Sequence, residues 1–195
     1  MFKIGSHDTM TYLPPKHWWM RPFKFVARCQ RKTIEEQYEQ YGIRLFDIRV
    51  KYNEKKKEWE FAHGLMTFKG KTPKEVFEYL NSQQEQVLVR LVLEYNKEPK
   101  HVDLISSLFA MQAVKWREEY PNVVFYGFNR KYDWKCLYKY DGMREPTMYQ
   151  AISSQTCKTW DDWWPWLYAF FNNADNLKQG TSCEFMLLDF VDIQK

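Results

Sequence analysis

The chain has 195 residues and a mass of 23.9 kDa, enough for one continuous core, so we expect a single domain, residues 1–195, with one active site. Its formal charge of +4 is spread evenly, and the basic run Lys55-Lys56-Lys57 is bracketed by Glu54 and Glu58, which argues against a nucleic-acid partner. The four cysteines, Cys29, Cys136, Cys157 and Cys183, have no CxxC spacing, so neither a zinc site nor a disulfide scaffold is suggested and reduced thiols are expected.

Phe2-Lys3-Ile4 reads as a first strand, followed by His7-Asp8 and then by a mixed aromatic and basic segment, Tyr12 to Lys24. Thr33-Ile34-Glu35-Glu36 has capping-box spacing and predicts a helix over 34–41, which Gly42 ends. Residues 43–50 then read as a strand, and 59–63 as another beyond the charged turn. Thr72-Pro73-Lys74-Glu75 is a second capping box, with Pro at the first helical position, and predicts a helix over 73–82.

The nearly continuous aliphatic run 87–93 predicts a strand covered on both faces. Apolar residues at helical spacing predict a helix over 102–116. Strands are expected at 123–126, 136–140 and 185–190, with a helical stretch around 163–172. Strands alternating with helices indicate an α/β fold, and the chain is short for eight full βα units. We therefore expect a compact, distorted TIM-like (β/α) barrel. Aromatic residues reach 18%, a surplus that should mostly fill its core.

Polar residues stand at the ends of these strands, where an α/β barrel gathers its chemistry: His7 and Asp8, Asp47 and Arg49, His63, Glu94, Lys139, and Asp189. Each alone has an ordinary reading as a structural or solvated group. It is six segments delivering them to one rim that points to a site.

Gly5-Ser6-His7-Asp8-Thr9, Gly42-Ile43-Arg44-Leu45-Phe46-Asp47-Ile48-Arg49 and His63-Gly64, in this order and at these separations, resemble the X-type catalytic region of the phosphatidylinositol-specific phospholipase C family. The likeness is to its bacterial, metal-independent branch. It extends more thinly to Leu93-Glu94-Tyr95, to residues 136–142, and to Phe185-Met186-Leu187-Leu188-Asp189-Phe190.

The resemblance implies that His7 is the general base for an inositol 2-hydroxyl, oriented by Asp189, and that His63 is the general acid for the leaving oxygen, partnered by Asp8. Histidine, with an ordinary pKa near ~6.5, suits both roles. Arg49 would hold the nonbridging phosphate oxygens, with Asp47 positioning it. Lys139 and Glu94 sit where family members contact ring hydroxyls, although the lysine that usually precedes the glutamate is here Val92. Calcium-dependent members have a carboxylate at the Arg49 position and an asparagine at the Asp8 position, so we expect no metal cofactor. Asp8, Asp47 and Glu94 are the alternative, an oxygen-rich set able to hold calcium.

The same resemblance gives Trp18 and Trp19 a place at a membrane interface, where amphipathic rings beside Lys and Arg suit a lipid surface. The competing reading has them cover the side of the barrel. Trp160 to Trp166 poses the same choice, with Asp161 and Asp162 less favourable to a bilayer. The expected partner is a phospholipid or small phosphodiester, met by a monomer with at most peripheral membrane contact. No leader or membrane-spanning run stands out, so we expect a cytoplasmic protein, or a secreted one if a leader has been removed. The expected function is a phosphodiesterase forming a cyclic phosphate. The alternatives are the same chemistry on a soluble glycerophospho- or nucleotide-type diester, and a catalytically idle module that binds phosphate or lipid.

Overall fold

The computed structural model describes residues 2–94, 102–130, 146–153 and 164–194. Among them the elements run β1 (Lys3–Ser6), 3-10 segments at Thr9–Tyr12 and Trp18–Phe23, α1 (Lys24–Ala27), α2 (Ile34–Glu39) and β2 (Leu45–Asn53). There follow β3 (Glu58–His63), β4 (Met66–Thr67), α3 (Pro73–Asn81), β5 (Val87–Leu93) and α4 (Val102–Glu119). The last are β6 (Val123–Arg130), β7 (Met148–Ala151), α5 (Pro165–Gln179) and β8 (Phe185–Leu188).

Both expected capping boxes form: Thr33 accepts from the Glu36 peptide while Glu36 reaches back, and Thr72 and Glu75 do the same. Gly42 follows α2 at φ +64°, a left-handed conformation that lets the chain turn directly into β2. The aliphatic run forms β5 over 87–93 as expected, whereas α4 and α5 run beyond their expected ends to Glu119 and Gln179. The strand expected at 136–140 lies outside the described residues.

The parallel pairings β6–β5, β5–β2, β2–β1, β1–β8 and β8–β7 join six strands into one curled sheet, half of a barrel wall. β1 pairs with β2 only at Leu45 and Phe46; farther along, the same β2 edge takes the antiparallel β3 from Val50 to Asn53. That exchange opens the sheet beside the end of β1. A closed barrel is not formed by the described strands, since β6 and β7 remain at opposite ends of the sheet and residues 131–145 between them are not described.

Side-chain alternation then sorts the two faces. Phe46, Ile48 and Val50 of β2, with Val87, Val89, Leu91 and Leu93 of β5, belong to the main core. Phe77, Trp116 and Phe125 meet there edge to face, the first two and the outer two pairs at 5.0 Å between centroids, so much of the aromatic surplus is core. The other face has an apolar floor of Leu45, Phe185 and Leu187, with Leu88 packed on it. Gly5 lies against this floor: a Cβ there would stand 2.6 Å from Leu45 Cδ2 and 2.7 Å from Leu187 Cδ2. Continuing each strand by steps of two from that floor reaches His7, Asp47, Arg49, Arg90 and Asp189. Strand periodicity thus places the polar cluster above the apolar one. No helix among the described residues is long and apolar enough to cross a membrane.

Candidate active site

His7 leaves β1 directly, and Asp8 turns the chain with φ +44° and ψ +51°. That conformation is uncommon for a residue with a Cβ, and aspartate is among those that tolerate it. It is held by the Asp8 peptide N–H donating to Asp47 Oδ2 at 3.3 Å and by Thr11 donating to the Asp8 carbonyl at 2.8 Å.

His7 Nδ1 is 2.7 Å from Asp189 Oδ1, and the other Asp189 oxygen accepts from the Ser153 peptide at 2.9 Å. With its proton on Nδ1, His7 presents a lone pair at Nε2, and Arg49 Nη2 donates to it at 2.6 Å. Arg49 Nε lies 2.8 Å from Asp8 Oδ1 and 3.2 Å from Asp47 Oδ2, while Nη1 lies 3.4 Å from Glu94 Oε2. The guanidinium therefore occupies the space among the three carboxylates named above as a calcium set. His7, Asp8 and Cys29 offer ligand atoms within 4.8 Å of one another, but Arg49 also presses on that group.

His63, at the end of β3, donates from Nδ1 to the Ala27 carbonyl at 2.8 Å and places Nε2 3.2 Å from Asp8 Oδ2. The ring thus links a backbone oxygen to the Asp8 carboxyl group. The same Asp8 oxygen is 3.6 Å from His7 Nε2, so one carboxylate oxygen stands between two imidazoles. Glu94 is fully buried, with Oε1 accepting from the Gly64 peptide at 2.9 Å and Oε2 facing Arg49. In this arrangement its oxygens serve the protein's own donors.

The charges are set by opposition between burial and pairing. Burial raises the Asp47 carboxyl, but Arg49 and Arg90 outweigh it and bring its pKa to about 2. For Asp8 burial wins over Arg49, His63 and His7, and its pKa lies above the ordinary value. Burial lowers the His7 pKa, but Asp189 and Asp8 more than reverse this and leave it raised. Burial pushes the Cys29 thiol well up, so it stays protonated 4.0 Å from Asp8 Oδ2.

The structure therefore brings together His7, Asp8, Asp47, Arg49, His63, Asp189 and Glu94. Lys139 lies outside the described residues. Trp18 and Trp19 lie exposed in a 3-10 segment with no buried residue. Sequence reasoning missed Arg90, whose Nη1 reaches Asp47 Oδ1 at 3.3 Å, though a lone charge inside the aliphatic run 87–93 was a usable signal. It also missed the Ala27 carbonyl, which no motif marks.

No family model matches the sequence, and no curated protein matches it. Among solved structures it is similar to phosphatidylinositol-specific phospholipase C from Listeria monocytogenes, at 21% identity and a TM-score of 0.45. That similarity covers 60% of this chain, which spans 40% of the length of the Listeria enzyme.

Proposed function

We propose that this protein is a metal-independent phosphodiesterase that cleaves phosphatidylinositol, or a related diester with a neighbouring hydroxyl, to a cyclic phosphate. The observation that carries this reading is the Arg49 guanidinium lying against His7 Nε2 and Asp8, with His63 Nε2 on the other oxygen of Asp8. A base, a phosphate-binding cation and an acid then stand side by side.

His7 Nε2 takes the proton of the substrate hydroxyl, whose oxygen attacks phosphorus. Arg49 exchanges His7 for the nonbridging oxygens and offsets the charge that builds there. The bond from phosphorus to the leaving oxygen breaks as His63 Nε2 delivers a proton to that oxygen. His63 ends neutral and His7 protonated, and a second proton exchange resets the pair. Glu94, tied to Arg49 and to the turn after His63, would keep the cation and the acid in a fixed relation.

Contact with a lipid surface is part of the proposal. Trp18, Trp19 and Phe25 are exposed on the 3-10 segment and α1, and Trp166, Phe170 and Phe171 on α5. Phe25 meets Trp164, just before α5, edge to face at 6.0 Å. The exposed Arg21 accompanies these rings and suits anionic headgroups, while Lys24 Nζ donates to the Tyr12 carbonyl at 2.7 Å.

The test is to incubate the protein with phosphatidylinositol vesicles, and separately with glycerophosphoinositol, in EDTA, and to follow products by phosphorus NMR. A five-membered cyclic phosphate from either supports the chemistry, and product from the soluble diester alone would remove the lipid. Absence of cyclic phosphate from both would overturn the proposal.

A further inference from the structure

The pair His7–Asp189 joins the ends of two neighbouring parallel strands, β1 and β8. Their ladder stops at Ser6 and Leu188, with one further bond from the His7 peptide to the Leu188 carbonyl at 3.0 Å. Beyond it both backbones diverge: Asp8 and Phe190 have φ of +44° and +49°. Past the ladder, something other than sheet pairing must fix the distance between the imidazole and its carboxylate.

Gln30 stands at that point, fully buried. Its Nε2 donates to the His7 carbonyl at 3.0 Å and to the Leu188 carbonyl at 2.8 Å, and its Oε1 accepts from the Val191 peptide at 3.1 Å. One amide therefore binds the backbone of the base, the residue before the orienting carboxylate, and the residue two after it. Only an amide has two donors and an acceptor at this length. Gln30 is itself anchored, since its peptide and that of Cys29 donate to Thr11 Oγ1 at 3.0 and 2.9 Å, and the Cys29 carbonyl accepts from Phe190 at 2.6 Å.

We propose that Gln30 is a positioning residue for His7, holding the β1 and β8 ends so that Asp189 meets Nδ1 and Nε2 faces the reacting centre. The role rests on the catalytic reading of His7 for its kinetic consequence, but the His7–Asp189 geometry is measurable without any substrate. Gln30→Met fills the same space and keeps none of the three bonds. Gln30→Glu keeps the acceptor for Val191; when protonated it donates to one carbonyl, and when ionised it repels both.

The experiment compares the two variants with wild type by proton and nitrogen NMR of the His7 ring, with melting curves as a check of folding, and by kcat and KM on a soluble diester. In Gln30→Met the downfield Nδ1 proton shared with Asp189 should weaken or move, and kcat should fall by up to roughly 100-fold with KM little changed, the loss expected from a small misplacement of a reacting group. Gln30→Glu should recover, as pH falls, toward the wild-type value measured at the same pH, in both the NMR signal and kcat, since protonation of His7 lowers the rate of both proteins alike. A folded Gln30→Met with an unchanged His7 signal overturns the proposal, as does a Gln30→Glu signal indifferent to pH. If wild type forms no cyclic phosphate, the catalytic reading fails while the NMR arm still decides the role of Gln30.

Discussion

Arg49 Nη2 lies 2.6 Å from His7 Nε2, so in the free protein the proposed base is capped by the group proposed to bind phosphate. A guanidinium has no acceptor, which leaves the nitrogen its lone pair. Burial and Arg49 lower the His7 pKa, and Asp189 and Asp8 raise it to a net increase. The proton and Arg49 thus compete for one nitrogen. Arg49→Gln should move the His7 pKa further up, read by NMR titration of the ring in protein that melts cooperatively. A pKa that falls would show that Arg49 does not oppose protonation of His7.

For the acid–base pair, His7→Ala and His63→Ala should each lower the rate by roughly 10²–10⁴-fold without loss of fold. A substrate whose leaving group is already a stable anion should restore much of the His63→Ala loss and little of the His7→Ala loss. Only His63→Ala lacks a proton for the departing oxygen. Equal deficits on both substrates would remove the distinction between the two roles.

Much of this site was legible because strand periodicity is two: Asp47 and Arg49 flank one residue, so they must share a face, and Gly42 told where that strand begins. His7 and Asp189 were legible only through the resemblance, since nothing local says that residues 182 positions apart meet. Arg90 was hidden inside a strand read as aliphatic, and its partner Asp47 lies directly across the β2–β5 register. Ala27 meets His63 through its backbone carbonyl, which leaves no trace in residue type, and the Gln30 side-chain amide meets backbone groups far away in sequence, which no motif marks. Alternating strands and helices dictate parallel pairing but not how far the sheet continues, and the described strands form half of a barrel wall.

The cation question has a direct test. Activity should persist in EDTA, because the guanidinium already fills the space among Asp8, Asp47 and Glu94. Arg49→Lys should still cost heavily, since an ammonium cannot reproduce a planar fork on phosphate. Loss of wild-type activity in EDTA, restored by calcium, would assign the carboxylates to a metal.

Arg90 and Asp47 are both buried, and the pair bears on stability. The Asp47 pKa is depressed to about 2 against burial, by Arg49 and Arg90. A depressed carboxylate stabilises the fold above its unfolded pKa near ~3.9 and loses that contribution as pH falls through about 2. Arg90→Met removes one of the two cations, so acid unfolding should begin at higher pH. Urea denaturation near neutrality should show a loss of about 3 kcal/mol, the lower end for breaking a buried pair, because Arg49 remains. An unchanged acid limb would mean that Arg90 contributes nothing to holding Asp47 ionised.

The exposed aromatic surface separates lipid contact from packing. Trp18 and Trp19 are 78% and 54% exposed, so they do not cover the side of the sheet in the way a core residue would. Replacing both with Ala should therefore leave the melting temperature nearly unchanged, whereas a buried Trp would cost ~3–5 kcal/mol. What the pair would lose is apolar area taken from water by lipid, at ~25 cal/mol per Å². Co-sedimentation with vesicles containing phosphatidylinositol should weaken, and turnover of vesicle substrate should fall with it. Turnover of a water-soluble diester should stay near wild type, since the proposed chemistry at His7, Arg49 and His63 does not use these rings. Phe170 and Phe171, each 53% exposed on α5, supply a second arm: if the surface acts as one, their double replacement should have the same profile. A large drop in melting temperature for either double variant, or vesicle binding that survives both, would exclude this surface as the membrane contact.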